Sequence, residues 1–354
     1  MEGGQGRVGT VARPEIEFLR RVLIVAGVTA GALLLWTLRD VFLLAIAAIV
    51  IATLLITAAA PLQRYARLPR RWALAAAGVL ILLALVGLLV LVGTELRAQV
   101  NELADRLPDA IRSLEERIGL PASGLNPPEL PPLRELISGD VAGWMLSYGS
   151  MLLGGLSGIV LIAITGTFLA GDPSEYVRGV VKLFPKSQQE RISGALEDCG
   201  RALRLWLIAQ LAAMGIVGVM IGVGAWLIGL PGPLALGLFA ALTEFVPVIG
   251  PIVGAVPALL LALTQGPGPL AWTLALFLAV QQLESNVITP ILEKRMVSLP
   301  PALLVLSVAA FGVLFGIMGV VVAAPLTVVC FVLVKKLYVR ETLGEATEVP
   351  GEQD

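Results

Sequence analysis

Residues 233–265 read PLALGLFAALTEFVPVIGPIVGAVPALLLALTQ. A membrane-spanning helix takes about 20 apolar residues at a rise of about 1.5 Å each. This run is too long for one span, and Val246-Pro-Val-Ile-Gly-Pro251 breaks it near its middle. About 13 residues on either side give arms of roughly 20 Å, short of a hydrocarbon core of roughly 30 Å. The spacing predicts a helix-turn-helix that enters a bilayer and leaves by the same face. A second run, 300–334, is broken at Gly316-Ile-Met-Gly319. Its arms of about 15 residues, roughly 22 Å, predict a second hairpin of the same kind.

The surrounding composition agrees with a membrane setting. The 354 residues are 57% hydrophobic and 14% charged, against about 25% charged in a soluble domain. Net charge is −1, which gives no footprint for nucleic acid. There is no histidine, so imidazole metal sites, His-dependent triads and His proton relays are excluded. Proton chemistry falls to carboxylates, and no catalytic constellation, cofactor or metal cluster is expected. Cys199 and Cys330 sit far apart in helical patterns, without the look of a disulfide framework.

Six further segments have the length and apolarity of full spans: 22–38, 41–60, 72–94, 143–170, 204–229 and 270–290. The first two are separated by Arg39 and Asp40 alone, which predicts a tight antiparallel pair and a retained N-terminal span. Basic clusters set the orientation. Arg7, Arg13, Arg20 and Arg21 place the N-terminus in the cytoplasm, and Arg64, Arg67, Arg70 and Arg71 place the loop after the second span there too. Acid-rich 95–142 belongs outside; within it Leu96, Val100, Leu103, Leu107, Ala110 and Leu114 recur at helical spacing. Residues 171–203 return inside as two amphipathic helices, with Asp172-Pro173 and Ser187-Gln-Gln-Glu190 as start signals. Lys294, Arg295, Lys335, Lys336 and Arg340 are also inside, so the two hairpins must enter from opposite faces.

The expected organisation follows. A tail and three-helix scaffold occupy 1–94, an extracytoplasmic amphipathic segment 95–142, and a span with interfacial helices 143–203. A transport core fills 204–340, and a disordered cytoplasmic tail 341–354. At an offset of 69, Leu230-Pro231 matches Leu299-Pro300, Ala240-Ala241 matches Ala309-Ala310, and Gly250 matches Gly319. With opposite orientations, these matches suggest an inverted repeat of one span plus one hairpin. That plan recurs in transporters, with binding at the broken helices.

Ionisable residues at membrane depth cost about 2.5–3.5 kcal/mol each on insertion scales and mark functional sites. Glu244 lies just before the first hairpin's tip, and Glu284 lies in Gln281-Gln-Leu-Glu-Ser-Asn286. Either carboxyl can exchange a proton. Either can also join Gln281, Gln282, Asn286, Thr289 and exposed carbonyls in an oxygen site for a cation or polar solute, with H+ or Na+ as coupling ion. Buried hydrogen bonding for Glu244 and interfacial solvation for Glu284 are the structural alternatives. Gln210, in the fifth span, is the remaining polar candidate. Pro247, Gly250, Pro251, Gly316, Gly319 and Pro325 are assigned to the hairpin tips. The Gly154/Gly158, Gly218/Gly222, Gly250/Gly254 and Gly312/Gly316 pairs have helix-packing spacing.

At these residues the sequence resembles a known family. Glu244-Phe-Val-Pro-Val-Ile-Gly-Pro251, Gln282-Leu-Glu-Ser-Asn-Val-Ile-Thr-Pro290 and Phe315-Gly-Ile-Met-Gly319…Ala324-Pro325 look like signature stretches of the autoinducer-2 exporter family. The resemblance implies a multi-pass transporter of a prokaryotic inner membrane with both termini cytoplasmic. It also implies a homo-oligomer, a pentamer, with elevator-like movement. Functions assigned within the family are export of a small hydrophilic signalling molecule and exchange of monovalent cations for protons. Glu244 and Val248 stand where many members carry asparagine and tyrosine, which favours ion coupling over a transferable substrate. The competing expectation is a passive pore for small solutes or ions.

Overall fold

The computed structural model describes residues 36–84, 158–293, 299–350 and 352, with single positions 22, 29, 33, 86, 87 and 90. The span expected at 22–38 and the amphipathic helix expected within 95–142 fall largely or wholly outside these residues. The chain divides into two units, residues 1–43 and 44–354. In the first, helical positions lead to a turn at Leu38, and the Arg39 guanidinium lies 4.7 Å over the Trp36 ring. Every regular element among the described residues is helical, and four helices are long and apolar enough to cross a membrane.

Helix α1 is Arg39–Tyr65, with Asp40 in its first turn and Arg64 in its last, each favourable to the helix dipole. Helix α2 is helical over 70–84, and α3 is Gly158–Gly171. Ala52, Leu55 and Ala59 of α1 meet Ala73, Leu74 and Ala77 of α2, and Ala170 of α3. Small side chains let these backbones approach, the usual means of helix association in lipid. A Cβ on Gly166 of α3 would lie 3.0 Å from the Ala48 carbonyl oxygen, so that crossing requires glycine.

Helix α4, Pro173–Val181, starts at an Asp172 cap that accepts from the Glu175 amide and the Ser174 hydroxyl. Helix α5 runs unbroken over Lys186–Ile228. An interfacial helix followed by a separate span was expected here. The one helix arises because no proline interrupts 186–228, and Gly194 and Gly200 leave its ladder intact. At 43 residues it is about 64 Å long, twice a hydrocarbon core. It closes on Gly229 (φ 86°), with the Leu230 amide donating to the Ala225 carbonyl at 2.9 Å, a left-handed C-terminal cap.

Two helical hairpins follow. In the first, α6 (Pro233–Thr243) turns back into α7 (Ile249–Gln265). The reversal is a γ-turn: Val248 has φ 72° and ψ −49°, and the Ile249 amide donates to the Pro247 carbonyl at 2.9 Å. A β-branched residue at positive φ is strained, and such strain collects at functional turns. The arms close because Gly250 lies against the Thr243 carbonyl with no room for a Cβ. Helix α6 docks on α5 through glycines as well. A Cβ on Gly237 would lie 2.5 Å from the Gly218 carbonyl oxygen and 2.8 Å from the Gly222 Cα.

Helix α8, Pro267–Leu283, continues through a π-helical turn, Glu284–Ile288, into α9, Thr289–Glu293. The second hairpin is α10, Pro301–Leu333, whose backbone breaks at Gly316 (φ 66°, ψ −151°). A Cβ on Gly312 would lie 3.0 Å from Val320 Cγ2. In a straight helix those residues are about 12 Å apart along the axis, so the chain folds back at Gly316. Gly319 abuts the Phe311 carbonyl, as Gly250 abuts that of Thr243. Pro325, expected at a tip, lies inside the second arm and is buried. Its lost amide is tolerated there because neighbouring helices enclose that part of the arm.

The described part of the C-terminal segment also departs from expectation. Residues 341–350 were expected to be a disordered tail. Instead Val349 is buried beside Trp206 and Leu207, and Lys335 Nζ donates to the Glu348 carbonyl at 3.1 Å. Arg191 Nη2 donates to the Leu337 carbonyl at 2.7 Å, and its guanidinium pairs with Glu341. Polar composition misled because these groups find particular partners on α5 and on the π-helical extension Val334–Arg340.

Candidate functional site

The end of α6 leaves backbone carbonyls without intrahelical partners, as every helix C-terminus does. Gln210, midway along α5, meets one of them: its Nε2 donates to the Glu244 carbonyl at 2.7 Å. A side-chain amide from the long helix thus holds the first hairpin at its turn. Trp206, one turn earlier, packs edge-on against Phe245 with ring centroids 6.1 Å apart. These contacts seat Glu244, whose side chain is buried, with 3% of the residue exposed.

The Glu244 and Glu284 side chains lie close enough to interact directly. Glu284 opens the π-helical turn after α8, and Gln281 Nε2 donates to its Oε2 at 3.3 Å. A π-turn inserts one residue into the helix and re-aims the side chains around it, a distortion concentrated at functional sites. A hydrogen bond between two carboxyl groups requires a proton on one of them, because carboxylates carry acceptors only. Two neighbouring carboxyl groups can hold one shared proton, and together they present four oxygens to a cation that replaces it.

The sequence candidates separate into two sets. Gln210, Glu244, Gln281 and Glu284 converge on the turn of the first hairpin. Gln282 and Asn286 are exposed, and Asn286 Nδ2 donates to the Gln282 carbonyl and to its Oε1, each at 2.9 Å. Thr289 starts α9 and is partly buried. Pro247, Gly250 and Pro251 form the γ-turn and the start of α7, while Gly316 and Gly319 form the second reversal. Among the described residues, no group of three or more His, Cys, Asp or Glu is placed to hold a metal ion.

A second polar cluster escaped sequence reasoning. Asp198 on α5 is 1% exposed and is ion-paired with Arg201 and with Lys336 of the C-terminal extension. The signal was present. Ala195, Asp198, Cys199 and Ala202 share one buried stripe, so an acid stood on the inward face of an amphipathic helix.

Residues 23–338 match the AI-2E family transporter. The chain belongs to that family. Two of its relatives come from Bacillus subtilis (strain 168) and are named "Putative transport protein YrrI" and "Putative transport protein YueF". YrrI is 34% identical over 196 residues, 52% of this chain and 56% of that protein. YueF is 27% identical over 180 residues, 50% of this chain and 49% of that protein. The chain thus spans about half the length of these curated relatives. A longer match is "Putative transport protein YhhT" of Escherichia coli (strain K12), 26% identical over 275 residues, covering 75% of this chain and 76% of that protein. This AI-2E family member is a multi-pass helical membrane protein.

Proposed function

We propose that this AI-2E family member is an ion-coupled secondary transporter in which the Glu244–Glu284 pair carries the coupling proton. The cargo is a monovalent cation or a small hydrophilic solute. The observation that carries this reading is the closeness of two carboxyl side chains, one of them buried, at the turn of a helical hairpin. Charge accounting explains the coupling. With one proton the pair has charge −1; with a monovalent cation and no proton it again has charge −1. Both loaded forms therefore meet the same penalty for a buried charge. The empty, doubly ionised pair meets a far larger one, which disfavours movement of the unloaded site.

Helix lengths support re-entrant hairpins. At 11 and 17 residues, α6 and α7 are about 16 and 25 Å long, below the roughly 30 Å of a hydrocarbon core. The basic clusters then put both termini in the cytoplasm, with the hairpins entering from opposite faces of the prokaryotic inner membrane. Gly250 and Gly319, each seated against a carbonyl of the preceding arm, support a repeated unit.

Reconstituted proteoliposomes test the proposal. With a sodium or lithium gradient imposed, the wild-type protein is expected to move protons in the opposite sense, slowly and saturably. The Glu244→Gln/Glu284→Gln double variant is expected to lose at least tenfold in flux. Undiminished flux in that variant sinks the proposal, and single-channel conductance in a planar bilayer would replace it with a passive pore.

A further inference from the structure

The connection between α1 and α2 gathers a group of polar side chains separate from the glutamate pair. From Leu62 to Trp72 the sequence carries Arg64, Arg67, Arg70 and Arg71 and no acidic residue. A cavity of about 410 Å³ opens there, lined by Ile56, Ala60, Gln63 and Arg64 of α1 and Arg70 and Leu74 of α2. Arg70 is anchored: its Nη2 donates to the Ala170 carbonyl at the end of α3, at 3.2 Å. A guanidinium has five N–H donors in a fixed fork, so this bond leaves others for an anion. Arg64 is exposed and lies 5.8 Å over the Tyr65 ring. Asp172, which feels the charge of Arg70, already accepts from Ser174 and the Glu175 amide.

Two features point to a lipid rather than a free anion. Tyr65 and Trp72, one and two residues along the chain from the lining residues Arg64 and Arg70, are 80% and 67% exposed. Aromatic residues with polar tips gather at headgroup depth. The cavity is also graded. Gln63, Arg64 and Arg70 form its polar end, while Ala60 and Ile56 lie one and two helical turns further along α1, with Leu74 opposite. A phosphate at the arginines would lay its acyl chains along that apolar wall. The lining has no acid to meet a choline or ethanolamine group. We propose that this cavity is a specific site for an anionic diacyl phospholipid, the phosphate held between Arg64 and Arg70. Basic pockets between spanning helices on the cytoplasmic side are suited to such headgroups.

The test uses the full chain, delipidated in mild detergent, with phosphatidylglycerol, phosphatidylcholine and inorganic phosphate as probes. Binding is followed by native mass spectrometry and by thermal shift. Phosphatidylglycerol is expected to bind and stabilise, while phosphatidylcholine and inorganic phosphate do neither at the same concentration. Arg64→Gln is expected to weaken phosphatidylglycerol roughly tenfold, as suits the loss of one direct hydrogen bond to a charged group. Arg70→Gln adds to this but also removes the Ala170 contact, so Arg64→Gln is the deciding variant. Arg67→Gln and Arg71→Gln are the charge-matched controls and are expected to keep wild-type affinity. Equal binding of phosphatidylcholine, competition by inorganic phosphate alone, or equal weakening in the controls would each overturn the site.

Discussion

Asp198→Asn is the most discriminating perturbation of the fold. The Asp198 side chain is 1% exposed and meets two cations, Lys336 at 16% and Arg201 at 40% side-chain exposure. Asparagine keeps the volume and removes the charge. Arg201 stays largely hydrated, so its share of the loss is about 0–1 kcal/mol, the range for exposed pairs. Lys336 is different: most of its side chain is enclosed and it would be left without a counter-ion. Removing one partner of a buried ion pair costs about 3–5 kcal/mol. The residual exposure of Lys336 puts the expected destabilisation near the lower end, about 3 kcal/mol. Lys336→Met should cost less, about 1.5–3 kcal/mol for one hydrogen bond to a charged group, because Asp198 keeps Arg201. The double variant strands no lysine charge and should be more stable than Asp198→Asn alone. Unfolding of the purified protein, followed by tryptophan fluorescence in mixed detergent and SDS, reads all three. Asp198→Asn unfolding within about 0.5 kcal/mol of wild type, or strict additivity in the double variant, would refute a buried electrostatic tie between α5 and the C-terminal extension.

Two further predictions concern the hairpin reversals. Gly250→Ala and Gly319→Ala place a Cβ against the Thr243 and Phe311 carbonyls, backbone that cannot swing aside. Each should destabilise by about 1–3 kcal/mol, the usual cost of overpacking. Gly268→Ala, where nothing lies within 4 Å, should be neutral or slightly stabilising in the same assay. Equal behaviour of the three would contradict the close approach of the arms. Val248→Gly relieves a β-branched residue at φ 72°. Relief of about 1–3 kcal/mol of strain is set against about 0.5–1 kcal/mol of added chain entropy. The net expectation is a midpoint equal to or above wild type, and a clear fall would show the γ-turn to be unstrained.

Much of the architecture was legible from sequence because the signals are local. A bilayer leaves few ways to satisfy a backbone, so long apolar runs must be helical. The interruptions at Pro247-Val-Ile-Gly250 and Gly316 then mark the reversals. Glu244 and Glu284 also stood out residue by residue, since a carboxyl in an apolar run is costly. Less local features were not. The unbroken α5 required knowing that an amphipathic stretch and a span share one axis, and the order of 341–350 required partners on a helix far away in sequence.

Sequence alone determined the class of the protein, where its helices break, and which side chains are out of place in an apolar setting. Those follow from composition, helical rise and the behaviour of proline and glycine, and need no knowledge of neighbours. Tertiary structure decided which of those side chains meet. Glu244 reaches Glu284 because glycines on α5 and α6 let the first hairpin dock closely and a π-turn redirects the end of α8. Asp198 reaches Lys336 because α10 packs back along α5. Rotation and depth of one helix against another are set by packing, and no periodicity within a single helix encodes them.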